Sequence, residues 1–157
     1  MSQSINLYNQ LANHKLFNKS VNFGLKRIKL ALSLLGHPEK KLKNVISVIG
    51  ESGKFTTLFS LKSFIEANNQ KVTAHISPSI QDIKERFYMS KKYLTHNEIK
   101  KTIKKIEKLN IPLTVFECLT LVYIINASKI NAEYNIQETG ALWRLDSNNI
   151  NDFPLIQ

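Results

Sequence analysis

Apolar residues recur at helical spacing near the start of the chain. Leu25, Ile28, Leu32 and Leu35 fall on one face, and the pattern over residues 4–35 predicts helix in two pieces divided at Gly24. Gly36 and Pro38 in "GHPEKKLKN" stop that pattern and open a basic linker. Residues 45–49, VISVI, are a compact apolar run rich in β-branched side chains, which predicts a strand. Leu58, Leu61 and Ile65 then form one stripe of a helix over 56–67, and residues 71–76 read as a second strand. The order is β-α-β, which predicts parallel strands joined by a right-handed crossover.

The polar stretch "SPSIQDIKERFYMSKKYL" that follows has no clear period. Its length suits a functional loop, and a solvated loop with an edge hairpin fits equally. Thr95 with Glu98, and Thr114 with Glu117, have the spacing of reciprocal helix caps. The first precedes an amphipathic stripe of Ile99, Ile103, Ile106 and Leu109; the second precedes residues 115–127, apolar almost all round and therefore predicted to be buried. Residues 132–137 predict a last strand, but Glu133, Asn135 and Gln137 are polar where a central parallel strand is usually apolar on both faces. That pattern suits an edge strand or a sheet that departs from the usual rule. Alternating elements of this kind predict an α/β domain with a mostly parallel sheet and flanking helices.

Between the first strand and its helix lies "GESGKFTT". A phosphate loop needs glycines that free backbone N–H groups to converge on an anion at a helix N-terminus, and a lysine that adds full charge. Gly50, Gly53 and Lys54 stand where that mechanism needs them. The strict pattern would also place a glycine where Val48 stands and a hydroxyl where Phe55 stands. On these residues alone, a phosphate loop and a structural turn both remain open.

Composition narrows the setting. The 157 residues suffice for one domain, and 43% hydrophobic content is that of a globular chain. Lys and Arg number 22 against 12 Asp and Glu, a formal net charge of +10, which favours anionic partners. Lysine dominates arginine amid many Asn and Ile, a bias that coding composition also produces, so the charge is discounted as a clue. A basic nucleic-acid module is disfavoured because aromatics are not interleaved with the basic residues. The single cysteine, Cys118, excludes an intrachain disulfide and a cysteine-rich metal site. No signal pattern or membrane-length apolar run is present, and a soluble, cytoplasmic protein is expected.

Six blocks, in order and spacing, carry a resemblance: "FGLKRIKLALSLLGHP", "VISVIGESGKFTT", "HISPSI", "ERF", "LTVFECLT" and "ETGALWRLDSNN". Together they resemble the N-terminal part of the dihydrofolate synthase / folylpolyglutamate synthase family, within the Mur ligase superfamily. In that family the loop reads Gly-Thr-Asn-Gly-Lys-Gly-Ser/Thr, the next strand ends in Ser-Pro-His, and a later strand delivers Glu-x-Gly-x-Gly-Gly-Arg-x-Asp-Ala-Thr-Asn. The resemblance implies a P-loop-type nucleotide-binding domain: residues 1–43 a helical lead-in, residues 44–157 a βαβ-type sheet with helices. It implies an ATP-dependent ligase in which ATP phosphorylates a carboxylate of a pteroate or folate and the amine of glutamate attacks the acyl phosphate.

Carried over by position, the resemblance implies that Gly50, Glu51, Ser52, Gly53, Lys54, Thr56 and Thr57 line ATP, with Lys54 the principal cation. It implies that Thr56, Ser77 and Glu138 hold Mg²⁺; hydroxyl and carboxylate oxygens suit that ion chemically. Thr114, Phe116, Glu117, Leu145, Asp146 and Ser147 match blocks that border the pterin pocket. Each also has a structural reading: Lys54 a surface lysine, Ser77 a turn cap, Glu117 half of a helix cap, Asp146 part of a polar turn.

The sequence departs from the family at Phe55, which replaces a glycine, at Ser79, which replaces a histidine, and at Leu142, Trp143 and Asn148. It also stops at Gln157, ahead of the family's next strand, the lysine carbamylated in the family, and the C-terminal domain. A truncated domain is therefore expected, completed by a second chain or left as a non-catalytic remnant.

Overall fold

The computed structural model describes residues 7, 9, 11–15, 17–18, 24–140 and 150. Among the described residues the strands β1 Phe17–Asn18, β2 Val45–Val48, β3 Val72–His75, β4 Phe87–Met89, β5 Leu113–Thr114 and β6 Tyr134–Glu138 are accompanied by α-helices, four of them described over their full bounds. These are α1 Lys26–Leu34, α2 Lys54–Ala67, α3 His96–Glu107 and α4 Val115–Ala127. The main sheet has the order β2-β6-β3-β4. β2 and β3 each run parallel to β6, with Val45 opposite Asn135 and Thr73 opposite Asn135; β4 closes the sheet antiparallel to β3.

The β-α-β reading over residues 45–76 therefore holds, with β6 inserted between its two strands. This corrects the edge-strand reading of residues 132–137. β6 is central, and its polar Asn135 is accommodated because it finds partners. The Thr73 hydroxyl donates to Asn135 Oδ1 at 2.7 Å and lies 2.9 Å from the Tyr123 hydroxyl, while Asn135 Nδ2 donates to the Lys43 carbonyl at 2.6 Å. A buried polar group costs little when it is hydrogen-bonded.

The two sheet faces differ by strand alternation. Val48, Val72, Ala74, Ile76 and Ile136 gather with Leu58 and Ile65 of α2 into one apolar cluster. On the opposite face sits α4, capped as its spacing predicts: Glu117 N donates to Thr114 Oγ1 at 3.1 Å and Thr114 N to Glu117 Oε2 at 2.7 Å. Nearly all of α4 is buried, and with α1, α3 and β4 it forms the larger core. Fully burying each leucine or isoleucine there, such as Leu119, Leu121 and Ile124, contributes roughly 1.5–3 kcal/mol. The α3 cap is likewise present, with Glu98 N donating to Thr95 Oγ1 at 3.3 Å and Thr95 N to Glu98 Oε2 at 2.8 Å.

One further reading changes, and one left open between two alternatives is decided. Within residues 4–35, Phe17 and Asn18 pair in parallel with Leu113 and Thr114 instead of continuing a helix; Phe17 is buried, and the pairing satisfies backbone groups that a helix would otherwise have used. The unpatterned stretch after β3 resolves as an edge hairpin, with a 3-10 turn at Ile83–Arg86, then β4, and a bridge from Tyr88 to Tyr93. Among the described residues no helix is long and apolar enough to cross a membrane.

Candidate functional site

In parallel α/β sheets, crevices form at the carboxyl ends of the strands. Here β2 ends at Val48, level with Glu138 at the end of β6, and Thr139 closes the seam by donating its N–H and its hydroxyl to the Val48 carbonyl at 3.1 and 3.0 Å. The chain then turns through Gly50 at φ 145° and Gly53 at φ 79°, backbone conformations that L side chains rarely adopt. Gly53 is the N-terminal residue flanking α2 and brings no side-chain cap. The first helical bond there is Thr57 N to Gly53 O at 2.9 Å, so the N–H groups of Lys54, Phe55 and Thr56 precede the helical ladder. Glu51, Ser52, Thr56 and Thr57 are exposed, and α2 begins at Lys54, two residues earlier than its apolar stripe predicts.

Lys54 folds back over this loop, its Nζ donating to the carbonyls of Gly50 at 2.8 Å and Glu51 at 3.2 Å. The Phe55 ring lies along α2 against Phe59, one turn on, with ring centroids 4.4 Å apart. At the neighbouring strand tips, Glu138 is buried and its Oε2 accepts from the Ser77 N–H at 2.8 Å; the Ser77–Pro78 peptide is cis. Ser77 and Glu138, separated by a strand, a hairpin and two helices in sequence, thus meet on the α2 side of the sheet. Among the described residues no group of three or more His, Cys, Asp or Glu side chains could hold a metal ion, so any cation here would rely on hydroxyl and carboxylate oxygens together.

The remaining candidates divide. Thr114 and Glu117 cap α4, and Glu117 also pairs with Arg27, whose Nε donates to Oε2 at 3.2 Å while a terminal nitrogen lies 3.2 Å from Oε1. Phe116 is half-buried, its ring 6.2 Å from that of His75. Leu145, Asp146 and Ser147 lie outside the described residues.

Two residues near this end of the sheet escaped the sequence reading. His75 is buried and stacks on Phe87 and Tyr123, with centroids 5.8 and 5.2 Å away. Opposite it in register is Gln137, fully buried, whose amide atoms have no hydrogen-bond partner. The only signal was polarity at alternate positions of an apolar strand, which does not reveal which strand lies beside it. Burial also raises the Cys118 thiol pKa, and that of the Tyr123 phenol despite its bond to Thr73, so neither is poised to ionise.

A mostly parallel sheet with flanking helices, a glycine-bounded loop entering a helix at its carboxyl edge, and a strand-end glutamate beside it place the chain in the class of α/β nucleotide-binding domains. No protein-family model matches the sequence. Curated relatives do: a dihydrofolate synthase/folylpolyglutamate synthase of Buchnera aphidicola is 30% identical over 141 residues, covering 88% of this chain and 34% of that protein. The Bacillus subtilis protein of the same name is 28% identical over 136 residues, covering 81% and 31%. Among solved structures, E. coli FolC in complex with DHPP and ADP superposes with a TM-score of 0.86 at 31% identity, over 96% of this chain and 36% of that one. The bifunctional folylpolyglutamate synthase/dihydrofolate synthase of Yersinia pestis, complexed with AMPPNP and Mn, gives 0.85 at 27%, over 97% and 37%. By sequence and by fold this chain corresponds to the N-terminal part of the dihydrofolate synthase/folylpolyglutamate synthase family, and it spans about a third of the length of these relatives.

Proposed function

We propose that this chain forms the ATP- and metal-binding part of an ATP-dependent amide ligase of folate metabolism. The observation that carries the reading is the meeting of Glu138 with Ser77 at the carboxyl tips of β6 and β3, beside a loop whose helix N-terminus is open. In this reading Gly50, Glu51, Ser52, Gly53 and Thr57 line the triphosphate, and the N–H groups of Lys54, Phe55 and Thr56 point their dipoles at it. Lys54 would exchange its two loop carbonyls for phosphate oxygens. Thr56, Ser77 and Glu138 would hold Mg²⁺, which when bound screens the charge that develops on the transferred phosphoryl group. The substrates would be a pteroate or folate and glutamate, with Phe116 beside the heteroaromatic ring and Leu145, Asp146 and Ser147 near it. Glu117, already bound to its cap and to Arg27, would orient Thr114 and Phe116 and leave ring contacts to others.

In this reading the chain supplies nucleotide and metal binding, and turnover draws on the remaining two-thirds of the family's length. A second reading, nucleotide binding without turnover, is favoured by Phe55 in the place of the family's glycine. Titration calorimetry with Mg-ATP tests the nucleotide site. The expected result is saturable binding in the micromolar-to-millimolar range, about 1 µM to 1 mM, weakened roughly tenfold or more by Lys54→Ala. Absence of binding by the unaltered chain defeats the proposal. Phe55→Gly tests the part the ring plays at the loop: tighter binding marks it as an obstruction, and unchanged binding shows that it is carried harmlessly on the helix surface.

A further inference from the structure

Away from the strand tips, Leu7, Leu11 and His14 lie against α3 and line with it a groove of about 940 Å³. This is at the upper end of the range for pockets that take drug-sized ligands or short peptides. Its floor is apolar, made by Leu7, Leu11 and Ile103, each less than a tenth exposed. Its rim is cationic: Lys100, Lys101 and Lys104 line it from adjacent turns of α3, are exposed, and have no ion-pair partner among the described residues. The acid in the groove, Glu107, is engaged by His14, whose Nε2 lies 3.3 Å from Oε1. Positive charge is dense enough along α3 that Lys129, partly desolvated, has its pKa held down by burial and then by Lys105 and Lys101.

We infer that this groove docks an acidic amphipathic helix of a protein partner, apolar side chains down on Leu7, Leu11 and Ile103 and carboxylates up against Lys100, Lys101 and Lys104. Helix-in-groove recognition needs that division of floor and rim, and a chain of net charge +10 draws an acidic partner towards it. A nucleic acid fits less well. Among the described lining residues none is Phe, Tyr or Trp, the one ring, His14, is already engaged by Glu107 and Phe17, and the apolar floor offers nothing to a phosphate backbone.

The test is fluorescence anisotropy on the full chain with a labelled amphipathic peptide, leucines on one helical face and glutamates on the other. Two comparison probes are its glutamine counterpart and single-stranded oligothymidylate. The peptide should bind, lose affinity as salt is raised, and bind at least about tenfold less tightly to K100E/K104E. The pair K40E/K41E, at the exposed turn ahead of β2, makes the same change in net charge and should leave binding within roughly twofold, since distant exposed charges are screened. Thermal melts of both variants establish that they fold. Failure of the unaltered chain to bind the peptide, equal losses from the two charge pairs, equal binding of the glutamine peptide, or tighter binding of oligothymidylate each overturns the proposal.

Discussion

The two faces of the sheet are built on different principles. Towards α2, β2, β3 and β6 present aliphatic side chains, and cohesion there is largely apolar contact among Val48, Leu58, Val72, Ala74 and Ile136. Towards α4, β3 and β6 present Thr73, His75, Asn135 and Gln137, all buried, beneath the most apolar of the described helices. Burial and polarity are separate specifications in this sheet. An apolar face is held by area, tolerant of small shifts, whereas the polar face is held by directed bonds that fit one strand register.

Substitutions should divide along this line. The largest loss is expected on the α2 face, where Ile136→Ala removes a fully buried side chain and should cost about 2–5 kcal/mol in urea unfolding. On the polar face Asn135→Ala removes the partner of the Lys43 carbonyl and one of the two partners of the Thr73 hydroxyl, and should cost about 1–3 kcal/mol. If Asn135 works through Thr73, a Thr73→Val, Asn135→Ala double-mutant cycle will show coupling well above experimental error; strict additivity would reduce the network to unrelated residues. Tyr123→Phe should cost less, about 0.5–1.5 kcal/mol, because Thr73 keeps its bond to Asn135. Gln137→Leu reverses the sign: it removes an amide that is buried and unpaired, so stability should hold or rise by up to about 1–3 kcal/mol. A clear loss there would show that the Gln137 amide is paired in solution.

The smallest effect concerns neither face but the surface cap of α3, which calibrates the comparison. The Glu98 carboxyl is held below its ordinary value of 4.5 by the Thr95 N–H and then by the Thr95 hydroxyl. Because the folded pKa is the lower one, this contribution is complete above about pH 4.5 and is lost as pH falls through the folded value. Glu98→Gln, which can still cap, should leave stability near neutrality almost unchanged and flatten the acid limb of a stability-against-pH curve measured by thermal unfolding.

Much of this was legible in the residues. Thr95 with Glu98 and Thr114 with Glu117 announced two helix starts because a reciprocal cap is local chemistry, complete within four residues. The strand-loop-helix around Gly50, Gly53 and Lys54 was legible for the same reason. What was not legible depended on partners distant in sequence. Asn135 and Gln137 spoke against a central strand until Thr73, His75 and Tyr123 were placed beside them. Phe17 read as part of a helix because nothing nearby shows that Leu113 offers it a strand. Within the site, the loop could be read locally. The contact of Glu138 with Ser77, and the capture of Glu117 by Arg27, belong to tertiary structure alone.

The place of β6 sets a timetable for synthesis. β2 and β3 leave the ribosome early, but neither pairs with the other; Val45 and Thr73 both pair with Asn135. At about 5–20 residues per second, the two strands wait for seconds with a strand-wide gap between them. Among the described residues β6 is the last strand to be made and therefore the keystone of the main sheet, and a chain interrupted anywhere before Tyr134 carries none of that sheet's parallel pairs.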